Sequence, residues 1–269
     1  MDDQDGRLRA VIEAPAEQEC ASCGLPSAAA LCVRCLARLA APLVDDRPKL
    51  LDAYSCAGGA GMGYHLAGWN VTGLDLAPQP NYPFEFIQGD ALGYLADRDF
   101  LDQFDACHVS PPCQDKSVAT LSQRMAGTVY PSLIGPTRDL LVNNFKGPWV
   151  IENVPGAELR PDIRVCGCQF GLTLPGVGYL KRERWFETSW RAFVLEMPHH
   201  HVGHAISIAG HGTPAWMRAK TGHIGVAEWR KLMGIWWTTR DELTEAIPPA
   251  YTEQLIGPLL LEQLSLEAA

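Results

Sequence analysis

The sequence predicts an α/β protein built on a parallel, doubly wound sheet, and three observations lead to this fold class. Short apolar runs of strand length alternate with stretches of helical composition along most of the chain. A glycine-rich loop joins the first of these runs to a helix, and acidic residues follow the second and third runs directly. Strands that alternate with helices favour a parallel sheet.

Five apolar runs are the predicted strands. The first leads into the glycine-rich loop of residues 56–63, and the second ends at Asp75. The third ends at Asp90, the fourth leads to Pro111, and the fifth runs into Glu152. The predicted strands cover residues 50–55, 70–74, 84–87, 104–109 and 149–151.

Length and composition indicate a globular protein. A chain of 269 residues with 47% hydrophobic content can bury a sizeable core in one large domain, with or without appendages. No apolar run is long enough to span a bilayer, and the acidic N-terminus is unlike a signal peptide. We therefore expect no membrane association, an intracellular location and reduced cysteines, nine in number.

The charge of the chain is unevenly distributed. The net charge of −9 taken alone lowers the expectation of nucleic-acid binding. Residues 181–231, however, hold eight lysines and arginines against four acids. That segment could face phosphates, although mixed surface charge also clusters by chance.

The N-terminal part carries two C-x-x-C pairs, after a polar tail of residues 1–19. Cys20 and Cys23 form the first pair, and Cys32 and Cys35 form the second, eight residues further on. This spacing is typical of a zinc knuckle, because each pair can hold one side of a tetrahedral ion. We expect a structural Zn²⁺ here; the alternative is free thiols in an alanine-rich helix.

The glycine-rich loop indicates a ligand at the N-terminus of the first helix. Its glycines stand at positions 58, 59, 61 and 63, so it matches neither the G-x-G-x-x-G pattern nor a P-loop. We therefore favour an adenosine-containing ligand other than a dinucleotide, with Asp75 on the ribose and Asp90 on the adenine. The alternative is a tight turn that packs the helix on the sheet.

A cysteine follows the fourth strand within Pro111-Pro112-Cys113-Gln114. The prolines stiffen this turn and remove backbone donors, so Cys113 stands where a nucleophile would be expected. Cys107, inside the strand, is expected to be a core residue.

Taken in order, these motifs resemble the DNA cytosine-C5 methyltransferase family. The resemblance rests on residues 54–59, Asp75, Asp90, Pro112-Cys113-Gln114 and Glu152-Asn153-Val154. It continues through Arg182-Glu183-Arg184 and the segment of residues 246–257, and the order of residues 166–188 is similar to the short phage-encoded branch.

The resemblance implies a Rossmann-like class I methyltransferase sheet that binds S-adenosylmethionine, together with a small target-recognition lobe. After the zinc knuckle and linker that the cysteine spacing places at residues 20–47, the implied divisions are a catalytic domain at 48–188, the lobe at 189–238 and a returning C-terminal segment at 239–269. The implied partner is double-stranded DNA, with no obligate protein partner, in the cytoplasm of a prokaryotic or phage-infected cell. The implied cofactor-binding residues are Tyr54, Ser55, Ala57, Gly58, Gly59, Asp75, Leu76, Asp90, Ala91, Pro112, Glu245 and Ala246.

The resemblance also implies catalytic roles. Cys113 is the nucleophile that adds to cytosine C6, and Glu152 hydrogen-bonds N3 while Arg184 reaches O2. Gln114 helps to position the DNA backbone around a flipped base. Arg182 either organises the loop or touches the substrate.

Three positions depart from the family pattern: Cys56 replaces a glycine, Leu180 a glutamine and Glu245 an asparagine. Only about 45 residues separate Arg184 from Arg230, so we expect minimal sequence readout.

Six of the eight histidines stand at positions 199, 200, 201, 204, 211 and 223. A second metal site is one interpretation, and a phosphate- or base-contacting loop or plain surface histidines are others. Cys166 and Cys168 are expected to be packing residues. Trp216, Trp229, Trp236 and Trp237 are expected mostly in the core of the small lobe.

Other functions are compatible with these motifs. The same chemistry could act on RNA or a free nucleotide, or use a modified donor. A catalytically silent DNA-binding protein is the alternative from another class.

Overall fold

A computed structural model describes residues 46–112, 132–190, 192, 198–208 and 224–267, together with two short N-terminal strands. The chain divides into two compact units, Met1–Asp46 and Arg47–Ala269. In the first unit, β1 (Gln18–Glu19) pairs antiparallel with β2 (Pro26–Ser27). The expected zinc ligands Cys20, Cys23, Cys32 and Cys35 lie outside the described residues.

The second unit is built on a seven-stranded mixed sheet. Its central five strands are parallel and follow the order β5-β4-β3-β6-β7. Beyond β7, β11 pairs antiparallel with β7 on one side and with β8 on the other. The strands are β3 (Lys49–Ala53), β4 (Asn70–Asp75), β5 (Glu85–Gln88), β6 (Ala106–Val109), β7 (Trp149–Asn153), β8 (Ile163–Val165) and β11 (Arg184–Thr188).

The five predicted strands are confirmed, with shifts at their ends. β3 stops at Ala53, before the predicted end, because Tyr54 takes a φ of 56° that leaves the extended region. β6 begins at Ala106, two residues later than predicted, although the amide of Asp105 already donates to the carbonyl of Lys49 in β3 (2.8 Å).

Helices cover both faces of the sheet. The described helices are α1 (Gly59–Leu66), α2 (Ala91–Leu95), α3 (Arg98–Leu101), α4 (Ile134–Asn144), α5 (Val226–Met233), α6 (Arg240–Glu245), α7 (Pro249–Tyr251) and α8 (Gly257–Glu267), with a π-helical turn over Thr252–Ile256. No helix in the described part of the chain is both long and apolar enough to cross a membrane.

Alternate residues of the central strands pack against opposite faces. Leu50 and Val150 join a core with residues of α1 and α8, whereas Leu51 and Ile151 join a second core with residues of α2 and α4. Burial on both faces explains the unbroken apolar runs of the sequence.

The C-terminal segment packs against α1. Thr252 Oγ1 donates a hydrogen bond to the carbonyl of Ala60 (2.8 Å), and the indole of Trp69 donates to the carbonyl of Gly257 (3.2 Å). This segment therefore completes one face of the sheet.

A second, three-stranded sheet forms a small lobe with α5 and α6. Its order is β12-β10-β9, with β9 (Thr173–Leu174) antiparallel to β10 (Gly178–Leu180) and β12 (His204–Ile206) parallel to it. Leu180 joins the core of this lobe with Trp229, Leu232 and Ile235. The lobe thus takes in residues before position 189, because strand pairing draws β9 and β10 into it.

Candidate active site

The candidate site lies where the winding of the sheet reverses. β3 and β6 are neighbours, and the chain continues outward from them in opposite directions. Ligands of such sheets bind beyond the carboxyl ends of the strands at this switch point. Residues 54–58 and 110–112 are the loops that leave β3 and β6 there.

The loop after β3 has an unusual backbone conformation. Tyr54 and Cys56 have φ values of 56° and 45°, and Gly58 has 80°. Residues with side chains rarely adopt this region unless the surroundings hold them in it, and such positions cluster at ligand sites. Here the amide of Cys56 donates to Asp75 Oδ2 (2.9 Å), and the indole of Trp237 donates to the carbonyl of Ala57 (2.8 Å).

The other three glycines of the motif lie in α1 and allow close packing, which agrees with the alternative interpretation of a tight turn that packs the helix on the sheet. A Cβ on Gly59 would collide with the carbonyl of Ile247, and one on Gly63 with Thr252 Oγ1. A Cβ on Gly61 would lie 2.8 Å from the hydroxyl of Tyr82. The helix of the loop can therefore approach both the sheet and the C-terminal segment closely.

Acidic and apolar groups line the outer side of this loop. Glu245, the last residue of α6, is only partly covered, and this partial burial together with the charge of Asp75 raises the pKa of its carboxyl. Because the negative charges of Asp75 and Glu245 repel each other, the pair favours a cationic ligand between them. Leu76 is 72% exposed beside Asp75 and offers apolar surface to such a ligand.

The remaining expected cofactor residues have structural partners. Asp90 caps α2 through a hydrogen bond from the amide of Leu92 to its Oδ1 (3.2 Å), and Ala91 begins that helix in a buried position. Tyr54 hydrogen-bonds Thr137 Oγ1 (3.0 Å). Ser55 and Ala246 are buried.

The turn after β6 is tied to the end of β7. Asn153 Nδ2 donates a hydrogen bond to the carbonyl of Pro111 (2.9 Å), and both residues are buried. The described segment ends at Pro112, so Cys113 and Gln114 lie outside the described residues. Asn153 therefore fixes the turn that leads to Cys113 against the strand that carries Glu152.

Glu152 and Arg184 lie together, as their expected roles at one base require. Glu152 Oε1 is 2.8 Å from Arg184 Nε, with side-chain exposures of 6% and 14%. Burial raises the pKa of the Glu152 carboxyl, and Arg184 opposes that rise only in part. The carboxyl is therefore easier to protonate than an exposed glutamate.

A hydrogen-bonded chain under the turn reaches Glu152, and the sequence did not reveal it. The hydroxyl of Tyr64 is 2.8 Å from His108 Nδ1, and His108 Nε2 is 2.9 Å from Ser110 Oγ. Burial lowers the pKa of His108 to about 3 and raises that of Tyr64, so both groups are neutral.

The bond from Ser110 to Glu152 sets the direction of this chain. The Ser110 hydroxyl donates its one proton to the Glu152 carboxyl, so toward His108 it can only accept. The ring proton of the neutral imidazole therefore sits on Nε2 and is donated to Ser110, while Nδ1 accepts from the hydroxyl of Tyr64. Ser110 thus favours the ionised form of Glu152 and, like Arg184, opposes part of the rise in pKa that burial causes.

Arg182 is a buried organising residue. Its guanidinium donates to the carbonyls of Ile208 (3.2 Å) and Thr244 (2.7 Å), and its own carbonyl accepts from the hydroxyl of Tyr251 (2.6 Å). These contacts join the small lobe to the C-terminal segment. Of the two roles that the sequence left open, they favour organisation.

The remaining cysteines and tryptophans take different positions. Cys107 is fully buried, and burial raises the pKa of its thiol, so the prediction of a core residue is confirmed. Trp229 lies in the core of the small lobe as expected, whereas Trp237 hydrogen-bonds the loop after β3. Trp216, His211 and His223 lie outside the described residues.

Solved structures resemble this fold. A proposed DNA modification methyltransferase encoded within an E. coli prophage aligns with a TM-score of 0.54 at 13% identity, covering 81% of this chain and 99% of that chain. The Entamoeba histolytica methyltransferase EhMeth aligns with a TM-score of 0.51 at 12% identity, covering 83% and 99%. A DNMT2 variant from Spodoptera frugiperda gives 0.50 at 12% identity, covering 80% and 99%.

No protein-family model matches the chain, and no curated protein matches its sequence. The likeness to solved structures is therefore one of architecture. With its seven-stranded sheet and the strand order of a doubly wound fold, the chain has the Rossmann-like α/β fold of these methyltransferases.

Proposed function

We propose that this protein is a DNA cytosine-C5 methyltransferase that uses S-adenosylmethionine. The observation that carries the proposal is the ion pair of buried Glu152 and partly buried Arg184 beside the turn that leads to Cys113. A protonatable carboxyl and a guanidinium within 2.8 Å of each other match the N3 and O2 edge of cytosine.

The loop after β3 and its surroundings fit the cofactor. The left-handed backbone at Tyr54, Cys56 and Gly58 supports close approach of a ligand. Asp75 and Glu245 favour its positive charges. Asp90, Leu76 and Ala91 stand at the adjoining strand ends, where we assign the adenosine part. When bound, S-adenosylmethionine supplies an electrophilic methyl group on a sulfonium.

The protein's own residues activate the base. The thiolate of Cys113 adds to C6 of cytosine, which places negative charge on the ring at N3 and O2. Protonated Glu152 donates to N3, and Arg184 stabilises O2. C5 then carries the electron pair that accepts the methyl group.

Two later steps restore the enzyme. A base, which we take to be water, removes the proton from C5, and the electron pair of that C–H bond re-forms the C5–C6 double bond. The bond between Cys113 and C6 breaks in the same elimination, and the thiolate leaves. Glu152 returns to its initial protonation state when N3 gives up its proton.

We assign double-stranded DNA as the partner, with the target cytosine flipped out of the helix. The positive balance of residues 181–231 supports phosphate contacts by this part of the chain. Gln114 and the N-terminal zinc knuckle of Cys20, Cys23, Cys32 and Cys35 remain predictions of the sequence.

Incubation of DNA with methyl-labelled S-adenosylmethionine tests the proposal. We expect 5-methylcytosine in the digested DNA, and a covalent adduct with 5-fluorocytosine DNA that a Cys113→Ser variant does not form. Label in RNA or in free nucleotide only would change the acceptor. Tight DNA binding without label or adduct would refute the proposed catalysis.

A further inference from the structure

Two cysteines are held in fixed positions between the end of β8 and the small lobe. Cys166 precedes a 3₁₀ helix, Gly167–Phe170, that contains Cys168. The amide of Cys166 donates to Gln169 Oε1 (2.6 Å), which closes the turn. Both thiols are reduced, and both side chains are buried beside Tyr179.

Two histidines approach these cysteines from a distant part of the chain. His199 and His201 precede β12, whose parallel pairing with β10 fixes their position. The ring of His201 stacks on Tyr179 with centroids 4.5 Å apart and planes 9° apart. The amide of His204 donates to the carbonyl of Val177 (3.0 Å), which anchors the segment at its other end.

The four side chains converge on one point. One potential ligand atom from each of Cys166, Cys168, His199 and His201 lies within 4.8 Å of all the others. Cys168 Sγ is 3.4 Å from His199 Nδ1. In tetrahedral zinc sites with Zn–S near 2.3 Å and Zn–N near 2.0 Å, ligand atoms are roughly 3.3–3.8 Å apart.

Side-chain packing alone accounts for only part of this arrangement. The cysteines gain from burial, but His199 and His201 are exposed and could turn to solvent. A thiol–imidazole hydrogen bond is weak and does not require a second thiol and a second imidazole at the same point. A shared ion explains why all four groups meet.

We propose that Cys166, Cys168, His199 and His201 bind a structural Zn²⁺. Two thiolates and two imidazoles in a tetrahedral arrangement are a zinc-selective ligand set and leave no open position for a substrate. The ion fastens the segment before β12 to the turn before β9, and so braces β10. Arg182 and Arg184 follow β10 directly, so the ion also stabilises the strand that leads to them.

Metal analysis of the full chain tests this proposal in the presence of the expected N-terminal site. We remove that site with Cys20→Ser, Cys23→Ser, Cys32→Ser and Cys35→Ser in one chain, purify it without added chelator and count zinc by mass spectrometry. About one zinc per chain should remain. Adding Cys166→Ser and Cys168→Ser should abolish it.

Histidine variants provide the matched control. In the same four-serine background, His199→Asn or His201→Asn should release zinc at least tenfold faster to a chelator. His200→Asn, which changes the middle residue of the same tripeptide outside the cluster, should leave the release rate unchanged. Equal rates for all three variants would overturn the proposal.

X-ray absorption keeps the test independent of variant folding. The zinc shell of the four-serine chain should contain two sulfurs near 2.3 Å and two nitrogens near 2.0 Å. If that chain does not fold, the zinc coordination shell of the unmodified protein is measured instead. Nitrogen ligands in that shell support the proposal, and a shell of sulfur alone refutes it. A chain without bound zinc also refutes it, and none of these readouts depends on methyl transfer.

Discussion

Replacing Glu152 by glutamine should separate activity from stability. Glutamine keeps the shape of a protonated glutamate but cannot transfer a proton. If Glu152 acts as a general acid at N3, methyl transfer should fall by about 10²-fold or more. Stability should not fall with it, because Glu152 is buried and the ion pair with Arg184 does not offset the cost of burying its charge.

The raised pKa of Glu152 gives the sign of the stability change. The folded chain binds this proton more tightly than the unfolded chain does, and each tenfold difference corresponds to about 1.4 kcal/mol. Ionisation therefore destabilises the fold increasingly from the ordinary pKa of glutamate up to the raised pKa, and by a constant amount above it. Relative to wild type, Glu152→Gln should therefore be more stable at pH 8, and the difference should vanish near pH 4.

Urea unfolding at a series of pH values measures this difference, and labelled methyl transfer measures activity. Glu187→Gln is the matched control, because Glu187 is equally buried but accepts two hydrogen bonds from Arg138, at 2.8 Å each. Its loss should cost roughly 2–4 kcal/mol, as expected for charge-assisted hydrogen bonds. A Glu152→Gln variant that loses stability at pH 8, or that keeps its activity, would show that this reasoning is wrong.

Three further substitutions test the loop after β3 and the helix α1 that follows it. Gly63→Ala should destabilise the fold by about 1–3 kcal/mol because its Cβ meets the backbone of the C-terminal segment, whereas Gly135→Ala, with open space around it, should be neutral or stabilising in urea unfolding. Cys56→Gly should raise the melting temperature slightly, since its φ of 45° costs a non-glycine residue about 1–2 kcal/mol; a decrease would contradict the strain. Trp237→Phe removes the hydrogen bond to Ala57 and should weaken S-adenosylmethionine binding about fivefold by calorimetry, a loss of about 1 kcal/mol; unchanged affinity would count against this role.

The parts of the fold that the sequence predicted are those with a local signal. Strands buried on both faces leave unbroken apolar runs, and the acids at their ends mark where the runs stop. The partnership of Glu152 and Arg184 was predicted through the family resemblance and agrees with their ion pair.

The missed features depend on contacts between distant segments. Tyr64 and His108 are 44 residues apart, and the only local signal was a single histidine in an apolar strand. Cys168 and His199 are 31 residues apart, and a parallel pairing of two three-residue strands brings them together. Neither separation along the chain corresponds to the helical or strand repeat that a sequence pattern can reveal.

The contact between Trp69 and Gly257 has a consequence for how the chain folds during synthesis. These residues are 188 positions apart, and Thr252 and Ala60 are 192 apart. Until the last segment leaves the ribosome, α1 and the neighbouring face of the sheet expose apolar surface that α8 later covers. A nascent chain that stalls before residue 250 should therefore require chaperone protection even though all five parallel strands have already been made.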